Sequence, residues 1–194
     1  MATVDTRTIV IRKATLADAP AISDLVNHYA QRGLMLPKSL VQVFESLREF
    51  VVAVEEEGTV LGCGALRLMW HDLAEIRSLA VDEQAQGLGG GRRLVEALIR
   101  DAGAIGLSRL FALTYQQGFF ERLGFQTCSK EIFPQKVWAD CQACPKRHHC
   151  DEIAMLLHLD ARATAPPDRP WPDQGHVAPP AGAVVRADSI SVTG

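Results

Sequence analysis

One segment near the middle of the chain restricts the fold more than any other, because it joins a strand to a helix through a cluster of glycines. Residues 79–81 are apolar, as at the end of a buried strand, and four glycines follow within residues 87–91. Leu94 and Leu98 then recur at a helical spacing. A helix N-terminus presents unpaired N–H groups and the positive end of a dipole, and glycines let a ligand approach the backbone closely. The segment therefore predicts a site for a phosphate or pyrophosphate.

Two common phosphate-binding motifs do not fit this loop. A P-loop ends in Gly-Lys-Ser or Gly-Lys-Thr, whereas Gly91 is followed by Arg92 and Arg93. The dinucleotide fingerprint Gly-x-Gly-x-x-Gly, counted from Gly87, needs a glycine where Arg92 stands, and it opens a parallel β-α-β unit that the surrounding pattern does not predict. We therefore do not expect a Walker-type nucleotide site or a dinucleotide site.

Strands and helices alternate over the predicted domain, residues 9–160. Thr15 and Ser39 each begin a capping-box pattern, and helices are predicted after both. A third helix follows the glycines, and a short fourth one spans 119–123. The predicted strands are 10–12, 50–54, 60–70, 75–81, 109–114 and 153–159, of which the second and third form an antiparallel hairpin. This order predicts a mixed α/β fold.

Composition excludes several classes of function. The chain has 194 residues and a net charge of −3, without the clustered Lys and Arg that nucleic-acid binding needs. Its apolar runs are shorter than the roughly 20 residues of a membrane span, and residues 1–5 do not resemble a signal peptide. Residues 161–194 are rich in Ala and Pro and predict a disordered tail. We expect a cytoplasmic protein that acts on small molecules rather than on nucleic acid or membranes, and a homodimer is one assembly we consider.

Three motifs, in order along the chain, resemble those of the GNAT acetyltransferases. Ile11–Asp18 resembles the first strand and helix start of that family, Gln86-x-x-Gly89-x-Gly91 resembles its pyrophosphate-binding motif, and Phe119–Phe125 resembles its later Phe-Tyr-Glu-x-x-Gly-Phe motif. The resemblance covers roughly residues 9–160 and implies the GNAT fold, with acetyl-CoA as cosubstrate. The residues it implies for acetyl-CoA binding are Leu79, Ala80, Val81, Gln86, Gly87, Leu88, Gly89, Gly90, Gly91 and Arg92.

Acetyl transfer to an amine needs a base, and Glu75 is the candidate. Strand alternation predicts that Glu75, Arg77, Leu79 and Val81 share one face. The resemblance implies that Leu79 and Val81 flank the cofactor, and hence that the Glu75 carboxylate points toward the acetyl group. A glutamate in a similar Ala-Glu-Ile context has this role in one branch of the family. The alternative is a structural ion pair, for example with Arg77.

The resemblance also indicates which groups would stabilise the oxyanion and which would protonate the leaving thiolate. It implies that a backbone N–H within 79–81 meets the oxyanion. Many relatives carry a tyrosine acid where this chain has Phe120, which cannot donate a proton, and the reach of Tyr115 is uncertain from sequence. A thiolate is a tolerable leaving group, so we expect water or no acid.

Four segments resemble those of one branch within this family, namely residues 34–39, 62–66, 75–81 and 110–114. On these segments the chain is similar to short, single-domain N-acetylglutamate synthases. The resemblance implies transfer to the α-amine of L-glutamate, whose two carboxylates call for cationic partners. Lys38 and Arg77 are the substrate-binding candidates by position, and Lys136 and Arg147 are weaker ones; a solvated surface charge is the alternative for each. Other readings of the whole chain are acetylation of another small amine or of a protein amine, and a non-catalytic module that senses acyl-CoA or a metal.

Cysteines cluster in residues 141–150. Cys141, Cys144, Cys150 and His149 supply the ligand types of a structural zinc site, and Cys128 is a further thiolate. A redox role for Cys141 and Cys144 is one alternative, and a reduced loop without a ligand is another. An odd number of cysteines in a chain without a predicted leader argues against a disulfide framework.

Overall fold

The computed structural model describes residues 9–133, 141–146 and 148–159. Seven strands form one sheet in the order β1-β2-β3-β4-β5-β7-β6. The strands are β1 (Val10–Lys13), β2 (Phe50–Val54), β3 (Val60–Leu68), β4 (Leu73–Val81), β5 (Arg109–Thr114), β6 (Gln126–Thr127) and β7 (Ile153–His158). The helices are α1 (Ala19–Ala30), α2 (Leu40–Glu45), α3 (Gly90–Ala104) and α4 (Gln117–Glu121). The predicted mixed α/β architecture is confirmed.

The sheet contains one parallel pair, β4 with β5, and its other neighbouring strands are antiparallel. The parallel pairing covers only Leu73–Glu75 against Arg109–Phe111. Past Glu75 the two strands separate, although β4 continues to Val81 and β5 to Thr114. This separation opens the sheet at its centre.

A bulge in β4 corrects the predicted alternation along that strand. Arg77 pairs with Ala65 and Ala80 pairs with Cys63, so Ser78 and Leu79 together face a single β3 residue. Ser78 has a positive φ of 50°, which few residues other than glycine adopt.

The bulge places the two halves of β4 on opposite faces. Leu79 and Val81 pack against the core beneath α3. Arg77, and Glu75 two residues before it, share the face of Ala65, which packs in the cluster beneath α1 and α2. The prediction that all four side chains share a face is therefore wrong.

Helix α3 lies very close to the sheet. A Cβ on Gly62 would be 3.1 Å from Leu94 Cδ1, and one on Gly64 would be 3.2 Å from Leu98 Cδ1. Glycines in β3 thus make room for two fully buried leucines of the helix. This contact fixes where the N-terminus of α3 stands relative to β4.

Both predicted capping boxes are present. The Asp18 carboxylate accepts from the N–H and Oγ1 of Thr15 and pairs with the Arg12 guanidinium, at 2.6 and 2.8 Å. The Arg12 contact holds the pKa of Asp18 at about 2, below its usual value. At the start of α2, Ser39 Oγ accepts from the N–H of Gln42, whose side chain accepts from the N–H of Ser39.

The C-terminal part of the sheet was only partly predicted. Strand β7 inserts between β5 and β6, and the two-residue strand β6 is too short and too exposed to show a pattern in the sequence. Phe133 stacks on Phe111 with ring centroids 4.2 Å apart, which ties the chain after β6 to β5. No helix in the described ranges is long and apolar enough to cross a membrane. The predicted tail, 161–194, lies outside the described residues.

Candidate active site

A cleft of about 1520 Å³ opens where β4 and β5 separate. Its floor is β4 beyond Glu75 and the end of β5. One wall is the glycine loop with the start of α3, and the chain between α1 and α2 forms the rim beside it. The other wall consists of residues 141–146 and 148–152 and is named the cysteine-rich wall. Its members that line the cleft are Cys141, Cys144, Pro145, Lys146, Cys150 and Glu152.

The glycine loop has the geometry of an anion cradle. Gly87 and Gly89 have φ of +82° and +80°, and nothing lies within 4 Å of where a Cβ would stand on either. Gly89 is the N-cap of α3, so the N–H groups of the first helical turn face outward without helical acceptors. The residues present therefore fit the phosphate groups of a CoA-type ligand.

Most of the predicted acetyl-CoA residues line the cleft, and two lie behind it. Leu88 packs on the core, and Gly90 is buried next to Ile9. The residues that line the cleft are Leu79, Ala80, Val81, Gln86, Gly87, Gly89, Gly91 and Arg92. The Arg92 Nε donates to Glu96 Oε1 at 2.7 Å.

Tyr29 at the end of α1 joins this wall, and sequence reasoning missed it. Its hydroxyl donates to the carbonyl of Val81 and accepts from Gln86 Nε2 at 2.9 Å. Partial burial raises the pKa of Tyr29, so the hydroxyl stays protonated at neutral pH. The only sequence indication was its position on the apolar stripe of α1, which suggests a core residue rather than a rim residue.

Glu75 lies at the point where β4 leaves β5. It is 4% exposed and lines the cleft. Arg77 Nη1 is 3.8 Å from Glu75 Oε2. The ion pair considered as an alternative is thus present, and the same carboxylate borders the space where a substrate would react.

Lys38 and Arg77 border the same cleft as Glu75. The backbone of Lys38 is held by the Asn27 side chain, which donates to the Lys38 carbonyl at 2.8 Å and accepts from its N–H at 3.1 Å. A further cleft cation, Arg67, contacts Glu49 at 3.4 Å. Lys136 and Arg147 lie outside the described residues.

Phe120 is part of the core rather than a proton donor. It is 3% exposed and meets the rings of Phe119 and Phe125 edge to face, at 5.2 and 5.1 Å. Tyr115, just beyond β5, donates its hydroxyl to Asp151 Oδ1 at 2.7 Å and accepts from Lys146 Nζ at 2.8 Å. Lys146 also lies 3.3 Å from both carboxylate oxygens of Asp151. These three side chains tie the cysteine-rich wall to the end of β5.

The predicted zinc ligands are not gathered around one point. Among the residues that the structure describes, no three His, Cys, Asp or Glu side chains are grouped so as to hold a metal ion. Cys150 Sγ is instead 3.8 Å from Glu152 Oε2, and His149 is exposed. The arrangement of Cys141, Cys144, Cys150 and His149 therefore does not support the zinc interpretation, and no metal enters the function proposed below.

Comparison with known proteins identifies relatives that cover more than half of the chain. An N-acetyltransferase from Chlorobaculum tepidum, named as uncharacterized, is 47% identical over 149 residues, covering 77% of this chain and 96% of that protein. An amino-acid acetyltransferase from Mycobacterium tuberculosis is 44% identical over 118 residues, covering 60% of this chain and 67% of the relative.

A solved structure with the same fold contains the coenzyme. N-acetylglutamate synthase from Neisseria gonorrhoeae, complexed with coenzyme A and N-acetyl-glutamate, has a TM-score of 0.70 and 32% sequence identity over 78% of this chain. This chain spans only 35% of the length of that enzyme. The model of the Acetyltransferase (GNAT) family matches residues 22–125, more than half of the 194 residues. Together with the glycine loop and the separated strands, these matches establish that the chain belongs to the GNAT family of acetyltransferases, which use acetyl-CoA as cosubstrate.

Proposed function

We propose that this protein transfers the acetyl group of acetyl-CoA to the α-amine of L-glutamate. The observation that carries the proposal is that Lys38 and Arg77 border one cleft together with Glu75 and the glycine loop. A diacid amine needs cationic partners close to a base, and a single cleft supplies both. The names and bound product of the relatives described above point to the same substrate.

Glu75 is the proposed general base. A carboxylate that is almost fully buried and borders the reaction space is suited to accept the proton of the attacking amine. Its neighbour Arg77 contacts it at 3.8 Å and carries a planar guanidinium group, the side chain that is best suited to bind a carboxylate through two donors. Base and anion-binding group would thus lie side by side on the same face of β4.

The bulge at Ser78 supports the proposed oxyanion site. It rotates the strand so that Leu79 and Val81 turn their side chains into the core, while β5 no longer covers this part of β4. Backbone N–H groups of 79–81 that point toward the missing neighbour are then available to the thioester oxygen. Glu75 and these groups flank the same opening between the strands.

Release of CoA thiol tests the proposal. Purified protein is mixed with acetyl-CoA and, in separate reactions, with L-glutamate, other amino acids, polyamines and a lysine peptide. Release with glutamate well above every other acceptor is the expected result. Preference for another amine would overturn the glutamate assignment and leave the acetyltransferase assignment intact.

An arginine pair sharpens the test. Arg77→Gln is expected to raise the KM for glutamate at least about tenfold, because a charge-assisted carboxylate contact contributes about 1.5–3 kcal/mol. Arg100→Gln, on the exposed face of α3, is the control for loss of one positive charge. Equal KM values for the two variants would remove Arg77 from the substrate site.

A further inference from the structure

The cysteines of the chain fall into two environments. Burial raises the pKa of Cys63 to about 12 and also raises the pKa of Cys128, and neither residue lines the cleft. Cys141, Cys144 and Cys150 instead line the cleft. All five are reduced in the structure. Three thiols therefore border the space that holds a thiol coenzyme.

Two of these three are joined by a tight turn. The N–H of Cys144 donates to the carbonyl of Cys141 at 3.2 Å. A turn closed in this way brings the first and fourth Cα atoms within about 7 Å. Disulfides form across Cα separations of roughly 4.4–6.8 Å. The backbone of the turn thus holds Cys141 and Cys144 within the range of Cα separations that a disulfide bridges.

Cys150 is placed differently. Its Sγ lies 3.8 Å from Glu152 Oε2, to which the thiol donates a hydrogen bond. Its carbonyl accepts from Lys130 Nζ at 2.9 Å, which fixes the backbone at the far end of the wall. Cys150 lies outside the turn that joins Cys141 to Cys144, so Cys141 and Cys144 are the pair considered for disulfide formation.

The turn is also kept against the cleft. Lys146, two residues after Cys144, binds both Tyr115 and Asp151. Since Tyr115 directly follows β5, this contact links the turn to the sheet at the edge of the cleft floor. Cys141 and Cys144 consequently stay at the cleft that the glycine loop also lines.

We propose that Cys141 and Cys144 form a dithiol site that reduces the disulfide of coenzyme A when this molecule occupies the cleft. The inference rests on the assignment of the cleft to acetyl-CoA and is independent of the identity of the acceptor amine. The ligand class is a symmetric disulfide of the coenzyme, one half of which lies along the same cleft as acetyl-CoA.

The electrons and protons balance without a further reactant. The sulfur of one cysteine attacks the S–S bond, a mixed disulfide between that cysteine and CoA forms, and the first CoA leaves as a thiolate that takes the cysteine proton. The second cysteine then attacks the sulfur of the first, the Cys141–Cys144 disulfide forms, and the second CoA leaves with the second proton. Two electrons pass from the protein to the coenzyme disulfide.

The test uses the full-length reduced protein and CoA disulfide. One turnover is expected to release two CoA thiols per chain and to leave a disulfide that peptide mapping assigns to Cys141 and Cys144. Cys144→Ser is expected to stop at a mixed disulfide with CoA on Cys141, visible as a mass increase of one CoA. Cys128→Ser, which removes a shielded thiol, is the matched control and reacts as the parent does.

Two comparisons show whether the cleft is involved. Acetyl-CoA at about ten times its dissociation constant is expected to slow the reaction about tenfold, by mass action. Glutathione disulfide, which lacks the CoA moiety, is expected to react at least tenfold more slowly than CoA disulfide. Both measurements use the unmutated chain, so they hold even if a variant fails to fold.

Three results would overturn the inference. These are equal rates with the two disulfides, no protection by acetyl-CoA in a sample shown to bind it, and a disulfide that includes Cys150 in place of either partner. Absence of acetyl-CoA binding would overturn it together with the cofactor assignment. Absence of transfer to glutamate, with protection by acetyl-CoA intact, would overturn only the proposed acceptor.

Discussion

The two walls of the cleft are built in different ways. The glycine loop is placed by packed elements, since α3 presses Leu94 and Leu98 onto β3 through gaps left by Gly62 and Gly64. The cysteine-rich wall is placed by polar contacts at the surface, chiefly those of Lys146 with Tyr115 and Asp151. Exposed ion pairs contribute about 0–1 kcal/mol each, whereas a buried leucine contributes about 1.5–3 kcal/mol.

This difference separates the two binding tasks of an acetyltransferase. A wall held by the core keeps its shape for a cosubstrate that every member of the family shares. A wall held by surface contacts changes at small cost, so we expect substitutions there to affect the acceptor, which Lys38 and Arg77 bind on the adjoining rim and floor, more than they affect acetyl-CoA. If this division is correct, substitutions on the two walls will change different kinetic constants.

The largest effect is expected at Glu75, which lies where β4 separates from β5. Glu75→Gln removes the proposed base and keeps the side-chain size, so kcat is expected to fall by roughly 10²–10⁴-fold. The affinity for acetyl-CoA, measured by calorimetry, stays the same because the glycine loop is untouched. A kcat close to that of the parent would show that Glu75 serves only the ion pair with Arg77.

A pair of glycines tests the first wall. Gly89 and Gly106 stand near the two ends of α3 with φ of +80° and +82°, and neither has an atom within 4 Å of a Cβ position. Alanine at either is expected to cost about 1 kcal/mol in the free energy of unfolding, measured by urea titration. Only Gly89→Ala is expected to raise the KM for acetyl-CoA, by about 5–10-fold. The same KM in both variants would contradict the anion cradle.

The pH dependence of the free energy of unfolding tests the ion pair of Asp18 with Arg12, which precedes α1. The pKa of Asp18 is about 2 because Arg12 pairs with its carboxylate, so its stabilisation is complete above the unfolded value of 3.8 and is lost as the pH falls toward 2. Asp18→Asn is expected to lower the free energy of unfolding at pH 7 by about 1–3 kcal/mol. Between pH 4 and pH 2, the free energy of unfolding of this variant should also fall less than that of the parent. Asp24→Asn, on the exposed side of α1, is the control and should behave as the parent.

The smallest effects on KM are expected from substitutions of two tyrosines, which distinguish one wall from the other. The chain has two tyrosines, one on each side of the cleft. Tyr29→Phe removes a bond to Gln86 and is expected to raise the KM for acetyl-CoA about 2–10-fold, while Tyr115→Phe raises the KM for the amine by a similar factor. If each variant changed both KM values equally, the division between the walls would be wrong.

The same division accounts for what could be predicted from the sequence. The spacing of Leu94 and Leu98, the cluster ending at Gly91 and the capping boxes at Thr15 and Ser39 are local patterns, and each predicted its element correctly. These patterns lie in the part of the fold where the local sequence and the packing of the core favour the same structure.

What the sequence did not predict depends on contacts between distant residues. The bulge at Ser78 shows only against its partner strand, so simple alternation placed Leu79 on the wrong face. Tyr115 meets Asp151 across 36 positions of the chain, and no local pattern reports such a pairing. The cysteine cluster has zinc-type spacing along the chain, but among the described residues no three of the metal-binding side chains are grouped so as to hold a metal ion.

The short parallel pairing of β4 with β5 has a consequence for inhibitors. Beyond Glu75 the edge of β4 that faces β5 resembles the exposed edge of a sheet, and an extended chain bearing amides can add to such an edge as a strand does. A compound need not imitate the phosphates of the coenzyme to compete for this protein. A compound with two amides at strand spacing and a diacid at one end would form hydrogen bonds with the backbone of β4. Because side-chain mutations leave the backbone N–H and C=O groups in place, such mutations would have little effect on the affinity for the compound.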